Sequence, residues 1–181
     1  MLHKENRPLI LRRGMLVLLV LLTGVLQNVF LSGAAVPLMP LVPLTVSIAL
    51  FEKEFAGFFF GILAGAVYDA AASGPDGLYA FLFGLLALLV GLVSHYVIRN
   101  TLITAALSTA AFGLAVFAAG ALINLRGMRL GPLMYYLNFR YLPGLLVTVA
   151  LLPFFYFPVR RIRLMLPRSG SRHDPVSFTR K

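Results

Sequence analysis

The chain has 181 residues, 60% of them hydrophobic and only 12% charged, and its mean hydropathy is +0.90. A soluble domain carries roughly a quarter charged residues, so a water-soluble globule is excluded. The apolar residues run in blocks, which excludes a disordered or collagen-like chain and leaves an all-α polytopic membrane protein. At about 20 residues per span, roughly five to seven helices fit with short loops and no attached soluble domain.

Sixteen Lys and Arg against six Asp and Glu give a net charge of +10. Most of the surplus lies in the terminal segments, where attraction to anionic lipid and control of topology explain it better than nucleic-acid binding. Cysteine is absent, so no disulfide framework, thiolate metal site or Cys nucleophile can be built.

Taken in order, a basic cytoplasmic tail at 1–14 carries Lys4, Arg7, Arg12 and Arg13. The first span follows at 15–31, interrupted only by Thr23, Gly24, Gln27 and Asn28. With Ser32-Gly33-Ala34 after it, the same stretch could be read as a signal peptide, although it is long for that role. The second span, 37–51, has Pro37, Pro40 and Pro43 at three-residue spacing, and proline is tolerated only in the first turn of a helix. Its fifteen residues reach about 22 Å against a core of about 30 Å. It reads as a short or partly unwound span whose irregular start must be covered by protein or water.

Glu52-Lys53-Glu54 turns the chain into a third span at 55–73, and Ser73-Gly74-Pro75-Asp76-Gly77 leads into a fourth at 78–98, with Asp76 placed as its cap. The fifth span, 102–124, is rich in Ala, Gly, Ser and Thr and suits close packing. The loop at 125–140 holds Arg126, Arg129, Tyr135, Tyr136 and Arg140 and is broken by Gly131-Pro132, a composition expected at the membrane interface. A sixth span at 141–159 carries Pro143 and Pro153, and a basic tail at 160–181 ends the chain. The transmembrane domain is thus expected to be a six-helix bundle over 15–159.

Alternate sides of six spans carry thirteen and three Lys or Arg. Positive residues concentrate in the cytoplasm. Both termini are therefore expected there, with the 73–77 loop and the Arg-Tyr loop outside.

Gly57, Gly61, Gly65 and Asp69 recur every four residues in the third span, a stripe of bare backbone ending in a carboxylate. The stripe can serve packing within the bundle or receive a partner's helix. Asp69 is the only formal charge expected inside a span, where a central acid costs about 2.5 to 3.5 kcal/mol on insertion scales. It can cap a helix, pair with one of Arg126, Arg129 and Arg140, or contact a partner or cation.

The run Gly57-Phe58-Phe59-Phe60-Gly61-Ile62-Leu63-Ala64-Gly65-Ala66-Val67-Tyr68-Asp69, followed by Ser73-Gly74 and Gly77-Leu78-Tyr79-Ala80, resembles the rod shape-determining protein MreD family. The basic N-tail, the Pro-rich second span, the overall length and the basic C-tail fit the same family over nearly the whole chain. Asp76 and the long Arg-Tyr loop have no assigned place in that pattern. The resemblance implies an inner-membrane component of the bacterial elongation machinery. Such a component binds the bitopic protein MreC and helps couple MreB to peptidoglycan synthases of the RodA and penicillin-binding class, with no catalysis and no cofactor. The family's helical architecture is also similar to substrate-binding subunits of vitamin transporters, and a small-molecule-binding subunit is the alternative. The partner surfaces expected are the stripe, with Gly74 and Gly77 after it, and the external Arg-Tyr loop.

Enzyme readings lack partners in the sequence. Ser94 and His95 are adjacent and diverge on a helix, so they cannot act as nucleophile and base. His3 and His173 lie in the tails, and no HExxH motif or Walker-type loop occurs. Gln27 and Asn28 can bond between helices or line a cavity; a solute site needs several converging polar or aromatic groups.

Overall fold

The computed structural model describes residues 7–31, 38–52, 54–70, 77–96, 101–124, 139 and 141–165, and among them all regular structure is helical. α1 covers Arg7–Val25 and continues as a π-helical segment over Leu26–Leu31. Then come α2 (Leu41–Phe51), α3 (Glu54–Asp69), α4 (Leu78–Tyr96) and α5 (Leu102–Asn124). α6 (Leu142–Ala150) and α7 (Leu152–Met165) are two halves of one kinked run. Among the described residues three stretches are long and apolar enough to cross a membrane: Leu9–Val29, Leu102–Leu122 and Leu142–Met165.

α2 is the axis of the fold. Every one of its 11 residues is buried, and α1, α3, α4, α5, α6 and α7 all pack on it. It is about 16 Å long, half the thickness of a bilayer core. Pro43 sits in its first turn and Pro40 just before it, positions where a missing N–H removes nothing from the helix. The hydroxyls buried here turn back onto their own helix: Thr45 donates to the Leu41 carbonyl and Ser47 to the Pro43 carbonyl, both at 2.7 Å. Thr109 and Thr148 do the same on α5 and α6. No buried side-chain nitrogen or oxygen among the described residues lacks a partner, as a chain with no water at hand requires.

The outer surface is apolar on every side. Leu18 and Leu22 on α1, Val29 on the π-helical segment, Phe55 and Phe59 on α3, Phe81 on α4, Leu107 and Leu122 on α5, Leu146 on α6 and Phe154 on α7 are all exposed. A soluble protein rarely tolerates so continuous an apolar exterior; lipid tails cover it without penalty.

The described helices run past the expected spans at both ends. α1 begins at Arg7, within the segment expected as the basic N-tail, and Arg12 is buried in an ion pair with Glu52, the two side chains being 4% exposed. Asp69 is therefore not the only charge within the bundle. The pair escaped notice because its members are 40 residues apart and each, taken alone, belongs to a polar flank. At the other end the helix runs to Met165 rather than stopping at 159. It kinks at Leu151, whose N–H still reaches Val147 while Phe154 closes a tighter turn onto the Leu151 carbonyl at 3.1 Å. Pro153, two residues on, has no N–H to give the preceding turn and clashes with it, which accounts for the break.

Candidate functional site

The residues singled out in the third span converge on α4. α3 and α4 form a close helical hairpin, the most extensive helix pairing in the fold. At Gly61 a Cβ would come 2.6 Å from the Phe83 carbonyl oxygen and 2.8 Å from the Ala87 Cβ. At Gly65 it would meet the Tyr79 carbonyl oxygen and lie 2.5 Å from the Ala80 Cα. Gly57 faces both the Ala49 Cα of α2, at 3.2 Å, and the Ala87 carbonyl. α4 answers with small residues of its own, Gly84 against Ile62 and Phe58, and Gly91 against Glu54. Bare backbone on both helices lets them approach closely, and dispersion then acts across the whole seam.

Asp69 closes this hairpin. Its two carboxylate oxygens accept the Tyr79 and Ala80 N–H groups, at 3.1 and 2.9 Å. These are free N–H groups of the first turn of α4, and the carboxylate meets the positive end of that helix. The carboxylate thus acts as a remote N-cap across ten residues. Gly77 begins the turn with φ +83°, a left-handed conformation that side chains other than glycine rarely adopt, and its carbonyl accepts the Phe81 N–H at 3.0 Å. Tyr68 and Tyr79 meet edge to face at 4.7 Å, and Tyr68, Phe83 and Phe112 continue the aromatic packing inward.

Gln27 and Asn28 belong to the same end of the molecule. The Gln27 carbonyl oxygen accepts the Leu41 N–H at 3.1 Å, satisfying the start of α2. The Asn28 amide donates to the Val67 carbonyl near the end of α3, at 2.9 Å. The π-helical turn carrying them changes the angle between successive side chains, and the two neighbours reach different helices. At the opposite end Arg12 pairs with Glu52 at the close of α2, so α1 grips α2 by polar contacts at both ends. Ser94 donates to the Gly91 carbonyl, a tie within α4.

Gly74, Asp76 and the loop residues Arg126, Arg129, Tyr135, Tyr136 and Arg140 lie outside the described residues. The sequence signal for the hairpin was the four-residue spacing. The Gln27 and Arg12 contacts had no comparable signal, because their partners are set by how α1 lies on α2.

No family model, curated protein or solved structure matches the chain. Among the described residues the fold is all-helical, with three helices long and apolar enough to cross a membrane.

Proposed function

We propose that this chain is a non-enzymatic scaffold of the MreD type. It spans the bacterial inner membrane six times with both termini in the cytoplasm, and binds an MreC-like bitopic partner in support of rod shape and peptidoglycan synthesis. One observation carries the reading: the residues that resemble the family, Gly61, Gly65 and Asp69 on one side and Gly77, Tyr79 and Ala80 on the other, form a single rigid joint. A joint of this kind fixes the shape of a surface and supplies no reactive group. The polar side chains near it are engaged in holding helices, Gln27 to α2, Asn28 to α3 and Asp69 to α4. That favours a scaffold over a vitamin-type binding subunit, in which such groups converge on a pocket.

Because the stripe is covered by α4, the partner surface in this reading falls on the exterior and on the Arg-Tyr loop, Arg and Tyr being frequent in binding hot spots. Thermal unfolding of the purified chain separates the two functions. A ligand at 100 times its Kd adds about 2.7 kcal/mol. The scaffold is expected to be stabilised by the MreC-like partner and left unchanged by vitamins and related solutes; the reverse result would establish the transporter reading. Reporter fusions after each loop test the topology, and a C-terminal fusion active only outside would overturn it.

A further inference from the structure

The helix that ends the described chain carries a feature the scaffold reading does not use. α7 runs without a break from apolar into basic sequence, and Arg160, Arg161 and Arg163 are all helical. Arg160 and Arg161 are exposed. They stand three and four residues after Phe157, itself three after Phe154, and both phenylalanines are exposed, at 55% and 72%. Residues at those spacings share one helix face. The outward face of α7 is thus an aromatic track whose last ring, Phe157, is flanked by an exposed arginine on either side.

The third arginine fixes where this track lies. The Arg163 guanidinium stands over the Phe51 ring, 5.6 Å from its centroid, and Phe51 in turn packs on Tyr156. Phe51 adjoins Glu52, which holds Arg12. Arg12, the exposed Arg13 and the arginines of α7 therefore occupy one end of the molecule. Glu52 is committed to Arg12, and among the described residues no carboxylate pairs with Arg160 or Arg161.

We infer that the Arg160–Arg161 pair, with Phe157 and Phe154 beneath it, is a binding site for an anionic phospholipid: the guanidinium groups take the phosphate oxygens and an acyl chain lies along the phenylalanines. Arginine suits this task because its planar fork bonds two phosphate oxygens at once and its stem can lie along apolar surface while the head reaches the interface. A free phosphate would satisfy the arginines but leaves the aromatic track bare. The site is independent of any protein partner, so its failure would leave the scaffold reading untouched.

Native mass spectrometry of the detergent-purified full chain tests the assignment, with dioleoylphosphatidylglycerol and dioleoylphosphatidylcholine supplied in equal amounts. The wild type should retain the anionic lipid preferentially. Each arginine near a lipid surface is worth about fivefold in affinity, so R160Q/R161Q should lower that preference roughly thirtyfold. R160K/R161K, which keeps the charge and loses the fork, should recover most of it, and F154A/F157A should weaken retention without removing it. Equal retention of the two lipids by the wild type would overturn the site, as would unchanged preference in R160Q/R161Q. Displacement of the lipid by millimolar inorganic phosphate from wild type and F154A/F157A alike would overturn the acyl-chain part. All four arginine and phenylalanine positions are exposed, and equal melting temperatures in phosphatidylcholine alone would show that the variants fold.

Discussion

Removing Arg12 should be the most damaging single change in the described chain that leaves every backbone atom free to stay in place. The pair with Glu52 is 4% exposed on both sides, so losing one member leaves the other charge shielded from water and without its counter-charge. Breaking a buried pair in this way costs about 3 to 5 kcal/mol, whereas replacing both members by apolar residues of similar volume is often neutral. For a protein of this size a kilocalorie corresponds to about 2 to 4 °C in melting temperature. Arg12→Met should therefore lower Tm by about 6 to 20 °C, with the Arg12→Met/Glu52→Met double variant close to wild type. The position of Glu52 adds an asymmetry. It is the C-cap of α2, at the negative end of the helix, where a lone carboxylate is repelled and a lone guanidinium is attracted. Arg12→Met should thus be worse than Glu52→Met. Thermal unfolding of the four proteins in one detergent reads the cycle. Additive losses, with the double variant the least stable, would refute the claim that these charges are buried against each other.

Asp69→Ala leaves the Tyr79 and Ala80 N–H groups without their acceptor and should destabilise by about 1 to 3 kcal/mol, with Asp69→Asn milder because one carbonyl oxygen remains; unfolding in detergent checks both. Two glycines of one sequence should respond in opposite directions. Gly65→Ala drives a Cβ to 2.5 Å from the Ala80 Cα and should cost about 1 to 3 kcal/mol, while Gly14→Ala meets nothing within 4 Å on an open helix face and should gain about 0.5 to 1 kcal/mol; melting temperatures that move together would contradict the seam. Gln27→Leu should lose about 1 to 3 kcal/mol through the unsatisfied Leu41 N–H, and hydrogen exchange at Leu41 should rise more than at Phe51.

What the sequence made legible was whatever is written in local pattern. Long apolar blocks mark α1, α4, α5 and the final run, and the spacing of Gly57, Gly61, Gly65 and Asp69 marks one face of α3. The prolines at 40 and 43 mark an irregular start to α2. What was not legible depends on how helices lie against one another. α2 is only marginally more apolar than α4 and α6, yet among the described helices it alone is buried at every residue; burial of that kind follows from being surrounded, which so small a difference in the segment itself does not encode. Arg12 has the same flanking context as the exposed Arg13, and only the position of Glu52, 40 residues later, separates their fates. Asp69 could be read as a cap from its place at a helix end, but its partners Tyr79 and Ala80 follow from the closeness of the hairpin that the glycines permit.

Co-purification tests the central claim most directly. With the full-length chain as bait, solubilised from membranes of a rod-shaped bacterium that also expresses the MreC-like bitopic protein, the account predicts recovery of that protein in stoichiometric amount. Recovery should be lost on charge reversal at Arg129 and retained in Gly14→Ala. A well-folded bait that recovers none of the bitopic protein, or Arg129→Glu bait that recovers as much as wild type while cells keep their shape, would contradict respectively the scaffold itself and the external loop as its contact surface.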